Sequence, residues 1–123
     1  MSRRDGPPPQ AQTPGVLPLQ AKFKQGVALY QQGKLADAER TCAEVLQQQP
    51  NHFDAMHLLG VIAFQTQRTQ RGVELISKAI GLNANVASAH SNLGNGLKDL
   101  KRPEEALASY DKAIALKPDD AKA

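Results

Sequence analysis

Apolar residues recur at helical spacing along most of the chain, in six runs separated by short polar breaks. In 19–32, Phe23, Val27 and Tyr30, with Ala28 and Leu29 beside them, stand at i, i+3, i+4 intervals. Gly33-Lys34 interrupts the run. Leu35, Ala38, Cys42, Val45 and Leu46 then mark a second amphipathic helix that ends before Pro50. The same reading predicts helices near 53–66 and 69–82 around a break at Gln67-Arg68. Another pair follows, near 87–100 and from Pro103 onward, around a break at Lys101-Arg102. Pro103 with Glu104-Glu105 is a sound helix start, because proline suits the first turn and carboxylates favour the positive dipole end. No segment reads as a strand.

The six runs are three copies of one unit. Gly26, Gly60 and Gly94 stand 34 residues apart, and Ala38, Gly72 and Ala106 keep the same spacing. Val45-Leu46, Ala79-Ile80 and Ala113-Ile114 align in turn, and Pro50, Ala84 and Pro118 close the periods. A fixed period in this range predicts a stacked array, which works by presenting a surface. Each helix has too narrow an apolar face to be stable alone, so the pairs must stack as antiparallel hairpins. Gly26, Gly60 and Gly94 are expected to let the first helix of each pair approach the second at Ala38, Gly72 and Ala106. Gly72, Gly81 and Gly96 each cost about 1 kcal/mol of helix propensity relative to Ala. The helix at 69–82, holding two of them, is therefore expected to be the softest.

Composition narrows the picture further. The 123 residues amount to one domain, with 41% hydrophobic and 22% charged positions but only 4% aromatic and no Trp. The core must be built from Ala, Leu, Val and Ile. A net charge of +3 without any Lys/Arg run interleaved with aromatics gives no ground for nucleic-acid binding. No run approaches the roughly 18 apolar residues of a membrane span, and Gly6-Pro7-Pro8-Pro9 stands where a secretion signal would need an apolar stretch. A cytoplasmic location is the expectation. The prolines of residues 1–17 predict an extended, disordered leader, with Pro7-Pro8-Pro9 as a conceivable polyproline II ligand.

The repeat resembles the tetratricopeptide repeat across about residues 19–120. The third copy carries Leu93-Gly94, Leu97, Pro103, Ala106, Tyr110, Ala113 and Pro118; the first carries Gly26, Leu29, Gly33, Leu35, Ala38 and Pro50. The second departs most, with Gly72 for the usual Ala, Ala84 for Pro and Thr69 for an aromatic. The resemblance implies an all-α, right-handed superhelix of antiparallel helix hairpins. Its repeats would span 19–52, 53–86 and 87–120, after a leader over 1–17 and before the start of a truncated further helix at 121–123. The resemblance also implies a concave groove, lined by the first helix of each pair, that binds a peptide or protein partner. By position the groove would hold Phe23, Lys24, Val27 and Tyr30 from the first repeat, with Gln20 and Gln31 nearby. The second would add Asp54, His57, Leu58, Val61 and Phe64, and the third Ser91, Asn92, Asn95 and Lys98. Such a groove is apolar and aromatic toward its N-terminal end and polar toward the other. The other reading of Phe23, Tyr30 and Phe64 is that they fill core gaps or pack against the leader.

Two subtypes of the family can be compared. Members that bind acidic chaperone tails use a clamp of Lys and Asn, and its positions are held here by Phe23, Val27, Leu58, Ser88 and Asn92, so that clamp is missing. The phrase Ala89-His90-Ser91-Asn92-Leu93-Gly94 is similar to repeats that precede the catalytic region of O-linked N-acetylglucosamine transferases. There a groove asparagine recurs; Asn92 holds that place, whereas Lys24 and Leu58 hold it in the other repeats. This leaves a partner-binding scaffold, the docking region of a larger glycosyltransferase, or a self-associating module. Self-association would use the end of the array, where Leu107, Ile114 and Leu116 lie on a helix with no complete cap after it.

Enzyme chemistry finds no support in the residues. His52 and His57 are five apart, off the i, i+4 spacing of a helical ligand pair. Cys42, the single cysteine, excludes an internal disulfide and reads as an inert buried thiol. Neither a metal nor a cofactor is expected.

Overall fold

A computed structural model describes residues 18–117. The Pro-rich leader, the last positions of the third repeat and the expected start of a further helix lie outside the described residues. Six helices follow in order: α1 (Leu19–Gln31), α2 (Leu35–Gln48), α3 (Phe53–Gln65), α4 (Thr69–Leu82), α5 (Ala87–Asp99) and α6 (Pro103–Ala115). No strand occurs among the described residues. The main packing is within the pairs α1–α2, α3–α4 and α5–α6; α2 then packs on α3 and α4 on α5.

The turns inside the three hairpins are built alike. The residue after each C-cap is left-handed: Gly33 at φ 80°, Gln67 at 67° and Lys101 at 64°. Its N–H donates to the carbonyl three residues back, and the next N–H reaches five back, as in Lys34→Leu29, Arg68→Ala63 and Arg102→Leu97. These paired bonds satisfy carbonyls that a helix end leaves open. Glycine takes this conformation freely; Gln67 and Lys101 take it with a Cβ in the way.

Inside each hairpin the glycine at the crossing lets the helices touch. A Cβ at Gly26 would lie 3.2 Å from Cys42 Sγ, one at Gly94 2.7 Å from the Tyr110 ring, and one at Gly60 against Ile76. These partners lie one turn beyond the expected Ala38, Gly72 and Ala106, although Gly60 also faces the Gly72 carbonyl. The three glycines given a propensity cost in the sequence separate sharply. Cβ atoms at Gly72 and Gly96 would both strike Phe64, and that at Gly96 would also come within 2.9 Å of Val73, whereas Gly81 faces open space. Gly72 and Gly96 thus serve close packing and are more than a propensity cost.

Two apolar clusters result. One holds Cys42, Val45, Ala55, Leu59, Ala63 and Leu75, flanked by Leu19, Phe23, Leu46, Met56 and Leu58; the other holds Val73, Leu97 and Ala106, flanked by Phe64, Leu93, Leu100 and Tyr110. Helix α4 buries Gly72, Val73, Leu75, Ile76 and Ala79, whereas α6 buries only Ala106 and Ala113. Helix α4 is flanked on both sides, by α3 and α5, whereas α1 and α6 are each packed mainly on one. Between hairpins Arg68 pairs bidentately with Glu39 of α2 at 2.8 and 2.9 Å. That hydrogen-bonded guanidinium holds the Glu39 carboxyl below the usual carboxylate range, against the opposing effect of partial burial.

The glycines give an opposed pair of expectations. Gly81→Ala should stabilise by about 0.5 kcal/mol through helix propensity. Gly72→Ala should destabilise by about 1–3 kcal/mol, because overpacking against Phe64 outweighs the same propensity gain. Urea unfolding of the two variants checks both signs. In the turns, Gln67→Gly should stabilise by about 1 kcal/mol by relieving the left-handed strain; an unchanged or lower midpoint would count against that account.

Candidate functional site

The face formed by α1, α3 and α5 carries two adjoining clefts. The first, about 490 Å³, is lined by Phe23, Val27, Tyr30 and Gln31 of α1, Asp54, His57, Leu58 and Val61 of α3, and Asn92 of α5. The second, about 530 Å³, is lined by Leu19, Gln20, Phe23, Lys24, Gln49, His52 and Asp54. Phe23 and Asp54 belong to both and stand where they meet.

The helical period explains the lining of the first cleft. Phe23, Val27 and Tyr30 share one stripe of α1, and Asp54, His57, Leu58 and Val61 share the corresponding stripe of α3. Phe23 and Leu58 also flank the first core cluster, so their inner edges are packed while another part of each faces the cleft. Val27 and Val61 are half-buried and belong to neither cluster.

Polar groups link successive repeats across this face. Gln65 Nε2 donates to the Tyr30 hydroxyl at 2.6 Å, tying α3 to α1. Asn92 Nδ2 lies 2.9 Å from His57 Nε2, tying α5 to α3. With the amide donating, His57 is neutral and carries its proton on Nδ1. Burial pushes the His57 pKa below its ordinary value, an effect that Asp54 opposes. The Phe53 and His57 rings meet edge-on at 5.6 Å. One period earlier the places of His57 and Asn92 are taken by Phe23 and Leu58, which line the same cleft. The shift from apolar to polar along the face is thus a substitution at one repeated pair of positions.

The remaining residues singled out in the sequence are placed differently. Lys24 lines the second cleft alone. Phe64 lines neither cleft; it flanks the second core cluster, wedged beside Gly72 and Gly96. It is a partly buried residue packed on that cluster, and the large ring is accommodated by glycine on both neighbouring helices. Ser91, Asn95 and Lys98 line neither described cleft, and Asn95 accepts a 2.5 Å hydrogen bond from the Tyr110 hydroxyl. Sequence reasoning missed Gln49 and His52, which come from the α2–α3 connection. His52 Nδ1 accepts from the Ala55 amide at 3.0 Å and so caps α3, and its ring lies 5.1 Å from that of Phe23. A histidine directly before the predicted start at Phe53 was the available signal.

The groups with chemical potential elsewhere are occupied. His90 is buried, with Nε2 donating to the Ala84 carbonyl at 2.8 Å. Cys42 is fully buried, and burial pushes its thiol up to about 11, which leaves almost no thiolate near neutrality.

Comparison with known proteins places this architecture. Two models of the tetratricopeptide repeat match, one over residues 23–87 and one over 87–120. A Caenorhabditis elegans UDP-N-acetylglucosamine–peptide N-acetylglucosaminyltransferase is 37% identical over 77 residues, covering 63% of this chain and 7% of that protein. Human anaphase-promoting complex subunit 7 is 30% identical over 93 residues, covering 76% of this chain and 16% of its own length. The chain therefore spans only a small part of these relatives. Among solved structures, a mutant O-GlcNAc transferase of Thermobaculum terrenum superposes with a TM-score of 0.79 at 31% identity, over 82% of this chain and 19% of that one. The first repeat domain of Spaghetti (RPAP3), bound to the HSP90 peptide SRMEEVD, superposes at 0.78 with 20% identity, over 81% of this chain and 79% of that one. At that identity the likeness shows the fold alone.

His57 gives a pH dependence of stability. Its folded-state pKa lies below the unfolded value near 6.5, so the unfolded chain binds more protons in the window below that value. The contribution is complete above about pH 6.5 and declines as pH falls through the window. Unfolding midpoints of wild type and His57→Gln should converge as pH is lowered from 7.5 to about 5; a constant difference would refute this.

Proposed function

The chain belongs to the tetratricopeptide repeat family, and on that premise we propose that it is a scaffold module that holds a peptide or protein partner against the α1/α3/α5 face. The observation that carries this is the pair of adjoining clefts, with Phe23, Val27, Leu58 and Val61 supplying apolar surface and Asn92, Gln31 and His57 supplying polar groups beside it. Apolar surface rimmed by hydrogen-bonding groups is the usual form of a protein-binding site. In this reading residues 19–52, 53–86 and 87–120 are the three repeats, the module itself performs no catalysis, and it works in the cytoplasm. Among the described residues no helix is long and apolar enough to cross a membrane.

The likeness to two glycosyltransferases supports a narrower version, in which the module is the part of such an enzyme that docks the polypeptide substrate. A separate observation favours a second reading, self-association. Leu107 and Ile114 on the outer face of α6 are 61% and 65% exposed, whereas Val73, one period before Leu107, is 6% exposed because α5 covers it. A second copy would cover the α6 face as α5 covers α4.

The deciding substitution is Val27→Gln with Val61→Gln, which removes cleft apolarity without entering either core cluster. Partner capture by the double variant should fall at least about tenfold, roughly the loss of 1.4 kcal/mol, with its unfolding midpoint nearly unchanged. Undiminished capture would remove the groove from consideration. Self-association predicts a concentration-dependent rise in sedimentation coefficient that Leu107→Glu abolishes.

A further inference from the structure

The charges on the two clefts say what kind of segment they take. The first cleft has one formal charge among its described lining residues, the Asp54 carboxylate, and neither Lys nor Arg. Asp54 is exposed and forms no ion pair with another described residue; the pairs present are Lys22–Glu44, Arg40–Asp37, Arg68–Glu39 and Arg102–Glu105. Its carboxylate stands beside Phe23 at the meeting point of the clefts, next to the apolar wall of Val27, Leu58 and Val61. The nearest cation of the lining, Lys24, belongs to the second cleft only. It makes no ion pair with Asp54 within 4.0 Å.

Building on the groove reading, we infer that the site selects an apolar side chain with a cationic residue immediately beside it, the apolar group seated between Phe23, Val27, Leu58 and Val61 and the cation against Asp54. An acidic segment is disfavoured, since its carboxylates would meet Asp54 with no Lys or Arg in the first cleft to receive them. This is the opposite charge preference to the acidic peptide SRMEEVD held in the RPAP3 repeat domain of the same fold. Asn92 and Gln31 remain at the rim for the backbone of the segment, as Asn92 engages only one of its amide groups with His57.

The test uses the full 123-residue chain and three labelled synthetic peptides. One carries a single Leu flanked by Lys in a Ser/Gly background, the second has Glu in place of each Lys, and the third is SRMEEVD. Fluorescence anisotropy should show the Lys peptide binding about threefold to tenfold tighter than either acidic peptide at low salt. Asp54→Asn should collapse that ratio, and added salt should shrink it in wild type. Val27→Gln with Val61→Gln should weaken every peptide that binds. Equal affinities, or a ratio unmoved by Asp54→Asn, overturn the charge selection; loss of that binding in the valine variant would still leave the groove reading intact. Binding that survives the valine variant, or no binding of any peptide, overturns both.

Discussion

The structure depends on how closely its helices can approach, and Phe64 makes the constraint visible. Its ring lies where a Cβ on either Gly72 or Gly96 would stand, so one aromatic side chain of α3 is fitted against α4 and α5 at once. With 4% aromatic residues and no Trp, the chain has few large side chains with which to fill space. It uses small residues to bring backbones together instead, at Gly26, Gly60 and Gly94 within hairpins and at Gly72 and Gly96 around Phe64. Interiors tolerate neither voids nor overlaps, so these approaches set the spacing of the stack.

That spacing then determines what the α1/α3/α5 face can present. Because the repeat is 34 residues, the group that meets position 57 from the following repeat is at 92, and the group in the same relation to position 23 is at 58. The repeat keeps this pair of positions on one cleft while the chemistry changes from Phe23 and Leu58 to His57 and Asn92. The cleft is therefore apolar at one end and hydrogen-bonding at the other without any change of backbone. His57 joins the two regimes: it is desolvated enough to favour the neutral ring, and its neutral Nε2 is the acceptor that Asn92 needs.

The extent to which the sequence revealed this follows from the same facts. Helix positions were legible because periodicity and breaks agree: the left-handed residues Gly33, Gln67 and Lys101 sit in the three predicted interruptions. Most of the cleft lining was legible because it lies on one stripe of α1 and α3. Phe64 was left between groove and core filling because its position in the repeat suits the groove, whereas its environment is decided by glycines on two other helices, which a single-helix pattern cannot convey. The softness expected of α4 rests on propensity alone. Propensity counts a glycine as a loss, but Gly72 is the condition for the packing that buries α4 on both sides. His52 and Gln49 were missed because loop residues carry no period.

The division between core and cleft also limits how such a face can acquire specificity. Phe23 and Leu58 line the cleft and brace the core cluster around Cys42, Val45 and Leu59, so exchanging either disturbs the fold along with the site. Val27, Val61, Asp54 and Gln31 touch the cleft without belonging to either cluster, and Asn92 is held by a single side-chain bond. These positions are free to vary at low cost to stability, since exposed or half-buried substitutions outside packed clusters usually shift it little. The fold thus separates a pair of residues that anchor the cleft to the core from a ring of residues that choose what enters it. Asp54, charged and unpaired among described residues at the junction of both clefts, is the member of that ring with the largest electrostatic influence.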